Sequence, residues 1–224
     1  KRYADAIRWC EKGVRENNAV CAVDLGMAYL YGNKGVPADE ARALQLFHMA
    51  AQAGEEYGSY NAGRCYYNGW GCTRDYHTAF RCFEQAFQGG HPTVGQYLAQ
   101  CYFWGRGVEP NYEMAVRMMN KLIGERQEYP KELMGYCCLY GKGTSTDKIR
   151  GKRLLEEAAQ ADNGQAWMFL GDMYDKAVGV PEDIPMAISC YEKAAAQKIA
   201  GASEALGRYK KTLFGKWKRR GSSL

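Results

Sequence analysis

The chain has 224 residues, 46% of them apolar and 25% charged, with six prolines and a formal net charge of +5. This composition excludes a disordered chain, and no run approaches the roughly 18 uninterrupted apolar residues that a membrane-spanning helix needs. The positive charge is concentrated at one end: Arg208, Lys210, Lys211, Lys216, Lys218, Arg219 and Arg220 carry +7, which leaves −2 for residues 1–207.

Taken in order, Lys1 to Cys10 read as a helix and not as a signal peptide. From residue 19 onward one pattern returns. A glycine or alanine inside an apolar helix recurs at Gly26, Gly63, Ala99, Gly135, Gly171 and Gly207, first after 37 residues and then every 36. The first helices carry a Leu-Gly-x-x-Tyr core or a variant of it, as in Leu25-Gly26 with Tyr29, Ala62-Gly63 with Tyr66 and Leu170-Gly171 with Tyr174. Glycine inside a helix costs about 1 kcal/mol relative to alanine, so its repeated use predicts a neighbouring helix too close to admit a side chain.

A glycine loop follows, as in Gly69-Trp70-Gly71, Gly105-Arg106-Gly107 and Gly141-Lys142-Gly143. These suit a left-handed helix stop and a turn. They are not phosphate loops, because none ends in Gly-Lys-Ser/Thr. Two loops depart, Gly32-Asn33-Lys34-Gly35 by an extra residue and Ala177 by replacing the first glycine, and both are expected to differ in shape. The second helices then open with Asp39, Asp75, Asn111, Asp147 and Asp183, which are predicted N-caps. After each cap come a small residue and an apolar pair, such as Leu46-Phe47 or Cys190-Tyr191, predicted to face the core.

Repeats of this length stack on their neighbours because one alone cannot bury its apolar face. The combined pattern resembles the SEL-like repeat (SLR) family, a cousin of the tetratricopeptide repeats. The resemblance implies an all-α protein, an α-solenoid winding as a right-handed superhelix. It implies a single solenoid domain over 1–217, with a lone N-terminal helix (1–18), five full helix-turn-helix repeats (19–55, 56–90, 91–124, 125–163 and 164–199) and a lone C-terminal helix (200–217). A basic tail over 218–224 follows. The fourth repeat departs most from the pattern, with Cys138 for tyrosine and Gly151 for alanine.

The nine cysteines fall on packing positions of the repeat, and their number is odd, without a Cys-x-x-Cys or a Cys/His zinc spacing. Unpaired core thiols point to a reducing compartment, so a cytoplasmic location is expected and no metal or cofactor is. His48, His77 and His91 have no nucleophile at a local motif spacing, and no catalytic residues are assigned. The expectation is a protein without enzymatic activity and without a small-molecule substrate.

Seventeen tyrosines and five tryptophans exceed what the repeat core uses. In tetratricopeptide-like solenoids the first helices line the concave side, and the resemblance carries those positions to Tyr31, Tyr60, Arg64, Tyr67, Asn68, Gln100, Phe103, Trp104, Tyr136 and Tyr140. Tyr, Trp and Arg dominate binding hot spots. These residues are the expected partner-binding set, for a peptide or helix of another protein, with Arg64 pairing a ligand carboxylate or carbonyl. The alternative from another class is a regulatory or targeting module of a larger enzyme or signalling protein. The basic tail gives a weaker route to nucleic acid or an anionic membrane surface, and otherwise reads as a solvated helix end.

Overall fold

The computed structural model describes residues 2–32, 36–126, 129–211 and 217–220. They form two compact units, 1–129 and 130–224, which divide at the connection between the third and fourth repeats of the single domain expected from the sequence. The first unit holds α1 (Arg2–Arg15), α2 (Ala19–Tyr31), α3 (Glu40–Gln52), α4 (Glu56–Asn68), α5 (Tyr76–Gln88), α6 (Gly95–Trp104) and α7 (Tyr112–Gly124). The second holds α8 (Lys131–Tyr140), α9 (Lys148–Gln160), α10 (Gly164–Asp175), α11 (Ile184–Ala196) and α12 (Ala202–Gly207), then β1 (Tyr209–Lys211) and β2 (Trp217–Arg219). The architecture is an α-solenoid of helix pairs.

Each pair is fastened the same way. An added Cβ at Gly26 or Gly63 would lie 2.6 Å from the ring of Phe47 or Phe83, and at Gly171 it would lie 2.5 Å from the Tyr191 ring. At Gly135 it would sit 2.9 Å from Leu155 Cγ. The helical glycine therefore receives the second residue of the apolar pair, whose rings at 47, 83 and 191 are fully buried. The third repeat has Ala99 where the others have glycine, and its pair ends in Met119, an unbranched side chain that adapts to irregular space. Gly207, on α12, has nothing within 4 Å of an added Cβ.

The predicted caps all form. Side-chain oxygens of Asp39, Asn111, Asp147 and Asp183 accept from the amide three residues on at 2.9–3.0 Å, and Asp75 accepts from His77 and Thr78 at 3.0 and 3.1 Å. The same five residues do a second job. Their own backbone N–H groups donate to the carbonyls of Tyr29, Tyr66, Tyr102, Cys138 and Tyr174 at 2.7–3.1 Å, which ties the start of each second helix to the first helix of its pair. Because that bond needs only a backbone carbonyl, cysteine at 138 leaves the register intact.

The second glycine of a loop touches the preceding repeat. An added Cβ at Gly71 would lie 2.4 Å from the Glu40 backbone, and one at Gly107 2.0 Å from the Tyr76 carbonyl oxygen. The Gly71 N–H also donates to Glu40 Oε2 at 2.9 Å. The Asn33 to Gly35 stretch of the longer loop lies outside the described residues. The other departure keeps the common shape instead of changing it: Ala177 takes φ 53°, close to the 65° of Gly105 and Gly141. A left-handed alanine carries about 1–2 kcal/mol of strain, partly offset by the freedom that glycine adds to the unfolded chain. Ala177→Gly is expected to stabilise the fold by about 0.5–1 kcal/mol in urea denaturation, and a loss of stability would show that the turn is not strained.

The C-terminal helix expected over 200–217 is a helix only over Ala202–Gly207. An antiparallel hairpin follows, with Tyr209 opposite Arg219 and Lys211 opposite Trp217; residues 212–216 and 221–224 of the expected helix and tail lie outside the described residues. The reason is burial. Tyr209 and Trp217 cover α11 and close the cluster of Ala187, Ile188, Tyr191 and Ala205. Nor is the described part of the tail merely solvated. Arg208 Nη1 lies 3.3 Å from Asp175 Oδ2, and Arg219 pairs with Asp175 and, at 2.9 Å, with Glu182. Asp175 is 4% exposed. Burial alone would raise its carboxyl pKa, and the Tyr209 hydroxyl, with the hydrogen bonding and charge of Arg219 and the charge of Arg208, outweighs that and holds it below the ordinary carboxylate range.

Candidate functional site

In the first unit the first helices α2, α4 and α6 are cross-linked by side chains. Tyr31 on α2 accepts from Arg64 Nη2 on α4 at 2.9 Å, and Tyr67 on α4 donates to Gln100 Oε1 on α6 at 3.2 Å. Both rungs join residues 33 apart, about one helical turn short of the repeat. Arg64 also donates to Asn61 Oδ1 at 3.1 Å, and its guanidinium stands 5.6 Å from the Tyr60 ring and 5.3 Å from the Trp70 ring. Its Nε is buried without a partner. Asn68 donates to the Arg64 carbonyl at 2.9 Å, which fixes the end of α4.

The rings are continuous. Tyr97 on α6 lies edge-on to both Tyr60 and Tyr67, each at 5.7 Å between centroids. His91 is stacked on Tyr60 at 4.0 Å and meets Tyr57 edge-on at 4.6 Å, and it is 6% exposed with neither ring nitrogen hydrogen-bonded. Burial lowers its pKa, so the imidazole is held neutral. Arg106, from the loop after α6, donates to the Tyr67 hydroxyl and stands 5.3 and 5.4 Å from the Tyr67 and Tyr76 rings.

The expected binding residues therefore divide. Tyr31 and Trp104 are exposed, and Tyr60, Arg64, Asn68 and Gln100 are half-buried. Tyr67 and Phe103 are core side chains, Phe103 packing edge-on against Trp104 at 4.6 Å and Tyr112 at 5.3 Å. Their rings are packed among neighbours, Tyr67 against Tyr76, Phe83 and Tyr97, so they support the wall from behind and leave little area for a ligand. Tyr57, Tyr97, His91 and Arg106 belong to the cluster although the expected set omits them. The aromatic excess pointed to the tyrosines; Arg106 lay between two glycines and read only as loop.

Tyr136 and Tyr140 lie in the second unit. Tyr136 packs on Tyr140 and on Phe169 of α10, each at 4.7 Å, and Phe169 is again 33 positions on. The Tyr140 hydroxyl is buried without a hydrogen-bond partner, and burial pushes its pKa up to about 12. Acids accompany these rings. Burial raises the Glu132 carboxyl, and Asp172 accepts from Tyr191 at 2.7 Å and from Lys176 at 3.0 Å.

Nothing in these clusters pairs a nucleophile with a base. His48 Nε2 contacts the Tyr66 hydroxyl at 2.8 Å on a half-buried surface. The cysteines are free thiols, and burial pushes Cys65, Cys101 and Cys137 up to about 12, far from the thiolate form that reacts. Among the described residues no three His, Cys, Asp or Glu side chains converge as metal ligands, and no helix is long and apolar enough to cross a membrane.

Stacked helix pairs with a laddered first-helix face define a helical-repeat protein of the solenoid class. The Sel1 repeat profile matches residues 19–55, 57–91, 96–123, 132–163 and 165–198, and the chain belongs to the Sel1 repeat family. A protective antigen present in uropathogenic Escherichia coli strains, displaying an SLR fold, aligns at 26% identity and TM-score 0.63 over 91% of this chain; the chain spans 44% of that one. A Sel1 repeat protein from Oxalobacter formigenes aligns at 24% identity and TM-score 0.64, covering 85% of this chain and 75% of its own. One from Klebsiella pneumoniae subsp. pneumoniae shares the fold at 14% identity and TM-score 0.52, covering 89% and 97%. No curated protein matches the chain. Sel1 repeat proteins are generally protein-interaction scaffolds and typically non-enzymatic.

Proposed function

We propose that the α2, α4 and α6 face of the first unit is a groove for an extended peptide or a helix of a partner protein. One observation carries this reading. Of the seven large apolar side chains exposed among the described residues, four, Val20, Tyr31, Tyr57 and Trp104, belong to these three first helices. Exposed apolar side chains scattered singly need no explanation, whereas a cluster on one face of a laddered surface marks an interaction site. Tyrosine and tryptophan suit the task because they bring large area at small entropy cost and keep a polar tip.

The test is selection of twelve-residue peptides displayed on phage against the whole chain, followed by affinity measurement on Tyr31→Ala/Trp104→Ala. Both residues are exposed, so circular dichroism and melting are expected to stay near those of the parent chain. Loss of two hot-spot rings is expected to weaken enriched peptides by about 30-fold or more. Unchanged affinity would move binding away from this face, and failure to enrich any peptide would remove the reading.

A further inference from the structure

Resting on that groove, we propose that its ligand is an acidic peptide, whose carboxylates are received by Arg64 and Arg106. Among the described residues, the four arginines that bond to side chains distant in sequence, Arg64, Arg106, Arg208 and Arg219, fall into two kinds. Arg208 and Arg219 are matched by Asp175. Arg64 and Arg106 have no carboxylate within ion-pairing distance among the described residues: Arg64 is held by the Tyr31 hydroxyl and the Asn61 amide oxygen, and Arg106 by the Tyr67 hydroxyl. All of these partners are neutral. A guanidinium is never deprotonated, so a half-buried one without a counterion carries a desolvation cost that a carboxylate would offset.

The two groups are also built into one surface. Arg64 stands over Tyr60, Tyr60 meets Tyr97, Tyr97 meets Tyr67, and Arg106 bonds and stands over Tyr67. A guanidinium carries five N–H donors in its plane, more than the one or two neutral acceptors that each of these arginines has here, and charged acceptors make the stronger bonds. Arg64 already donates Nη1 to Asn61 and Nη2 to Tyr31, and its buried Nε has no acceptor, so its donors are not all satisfied within the unit. The three first helices carry few acids to compete: α6 has none, α4 has Glu56 in its first turn, and α2 has Asp24, whose charge acts on Cys10 of α1.

Aromatic rings beside arginines would also suit single-stranded nucleic acid, but the field of the unit argues for a peptide. Residues 1–129 contain 14 basic and 14 acidic side chains, so there is no long-range attraction for a polyanion, only two local sites. The ligand that fits has a few carboxylates interleaved with apolar side chains for Tyr31, Tyr57 and Trp104.

The phage selection decides this separately from the groove itself. Enriched peptides are expected to contain Asp or Glu. Replacing those residues by Asn or Gln in the synthetic peptide should weaken binding to the parent chain about tenfold per carboxylate, and raising NaCl from about 50 to 500 mM should weaken it further. Arg64→Gln and Arg106→Gln should each produce a similar loss on the acidic peptide and little on its amide counterpart. Enriched peptides that are neutral or basic, and that still need Tyr31 and Trp104, would overturn the acidic assignment and leave the groove standing. Equal affinity of acid and amide peptides for the parent chain would overturn it even where an arginine variant fails to fold. Tighter binding of a twelve-nucleotide oligothymidylate than of the acidic peptide would assign the arginines to phosphate instead.

Discussion

Gly107→Ala is expected to destabilise the first unit by about 3 kcal/mol or more. Two costs combine at this position. The residue has φ 78°, where an L side chain is strained by about 1–2 kcal/mol. An added Cβ would also lie 2.0 Å from the Tyr76 carbonyl oxygen and 2.4 Å from its carbonyl carbon, and those are backbone atoms that cannot rotate away. Overpacking of this sort typically costs another 1–3 kcal/mol. Gly90→Ala separates the two terms, since Gly90 has φ 89° and nothing within 4 Å; it is expected to cost about 1 kcal/mol. Urea denaturation of both variants measures the difference, and equal losses would mean that contact between successive repeats does not constrain Gly107.

Asp175→Asn is expected to cost about 2–3 kcal/mol and to free the C-terminal hairpin. Breaking a buried ion pair usually costs about 3–5 kcal/mol, and the lower figure follows because Arg208 and Arg219 retain 46% and 44% of their side-chain exposure and so are partly hydrated. The hairpin should then exchange its amide hydrogens faster, including the Arg220 N–H that donates to the Arg208 carbonyl at 2.7 Å. The parent chain should show the same loosening in acid. The folded pKa of Asp175 lies below its unfolded value, so its contribution is complete above about pH 4 and is lost as pH falls through the folded pKa. Hydrogen exchange by mass spectrometry at pH 7 compares the two proteins; unchanged protection of 209–211 in Asp175→Asn would show that Tyr209 and Trp217 hold the hairpin without the ion pair.

Much of the repeat is legible in the sequence because it depends on local chemistry. A cap needs an oxygen at one position and a close helix crossing needs a missing side chain, and both leave a mark every 36 residues. Ala177 shows where such reading stops: the residue type changed, yet its neighbours imposed the left-handed turn anyway. The C-terminal hairpin was hidden for a different reason. Gly207 and Gly215 weaken a helix over 200–217 by only about 1 kcal/mol each, as glycine does in the other repeats, and what decides against it is the packing of Tyr209 and Trp217 on α11, a tertiary demand. Tyr67 and Phe103 were placed correctly on first helices, but burial depends on which neighbour leans over a ring, and repeat register does not encode that. Arg106 and His91 entered the cluster from loops and boundaries, outside the positions that the resemblance covers.

The double bond of each cap residue, side chain to its own helix and backbone N–H to the helix before it, has an evolutionary corollary. The geometry of a helix pair rests on one oxygen-bearing residue, one small residue, the apolar side chain seated against it and main-chain atoms, none of which is a residue proposed to receive the ligand. Recognition residues can then be exchanged one at a time while the frame stays as it is, so repeats of this kind are free to acquire new partners without passing through unfolded intermediates in sequence space.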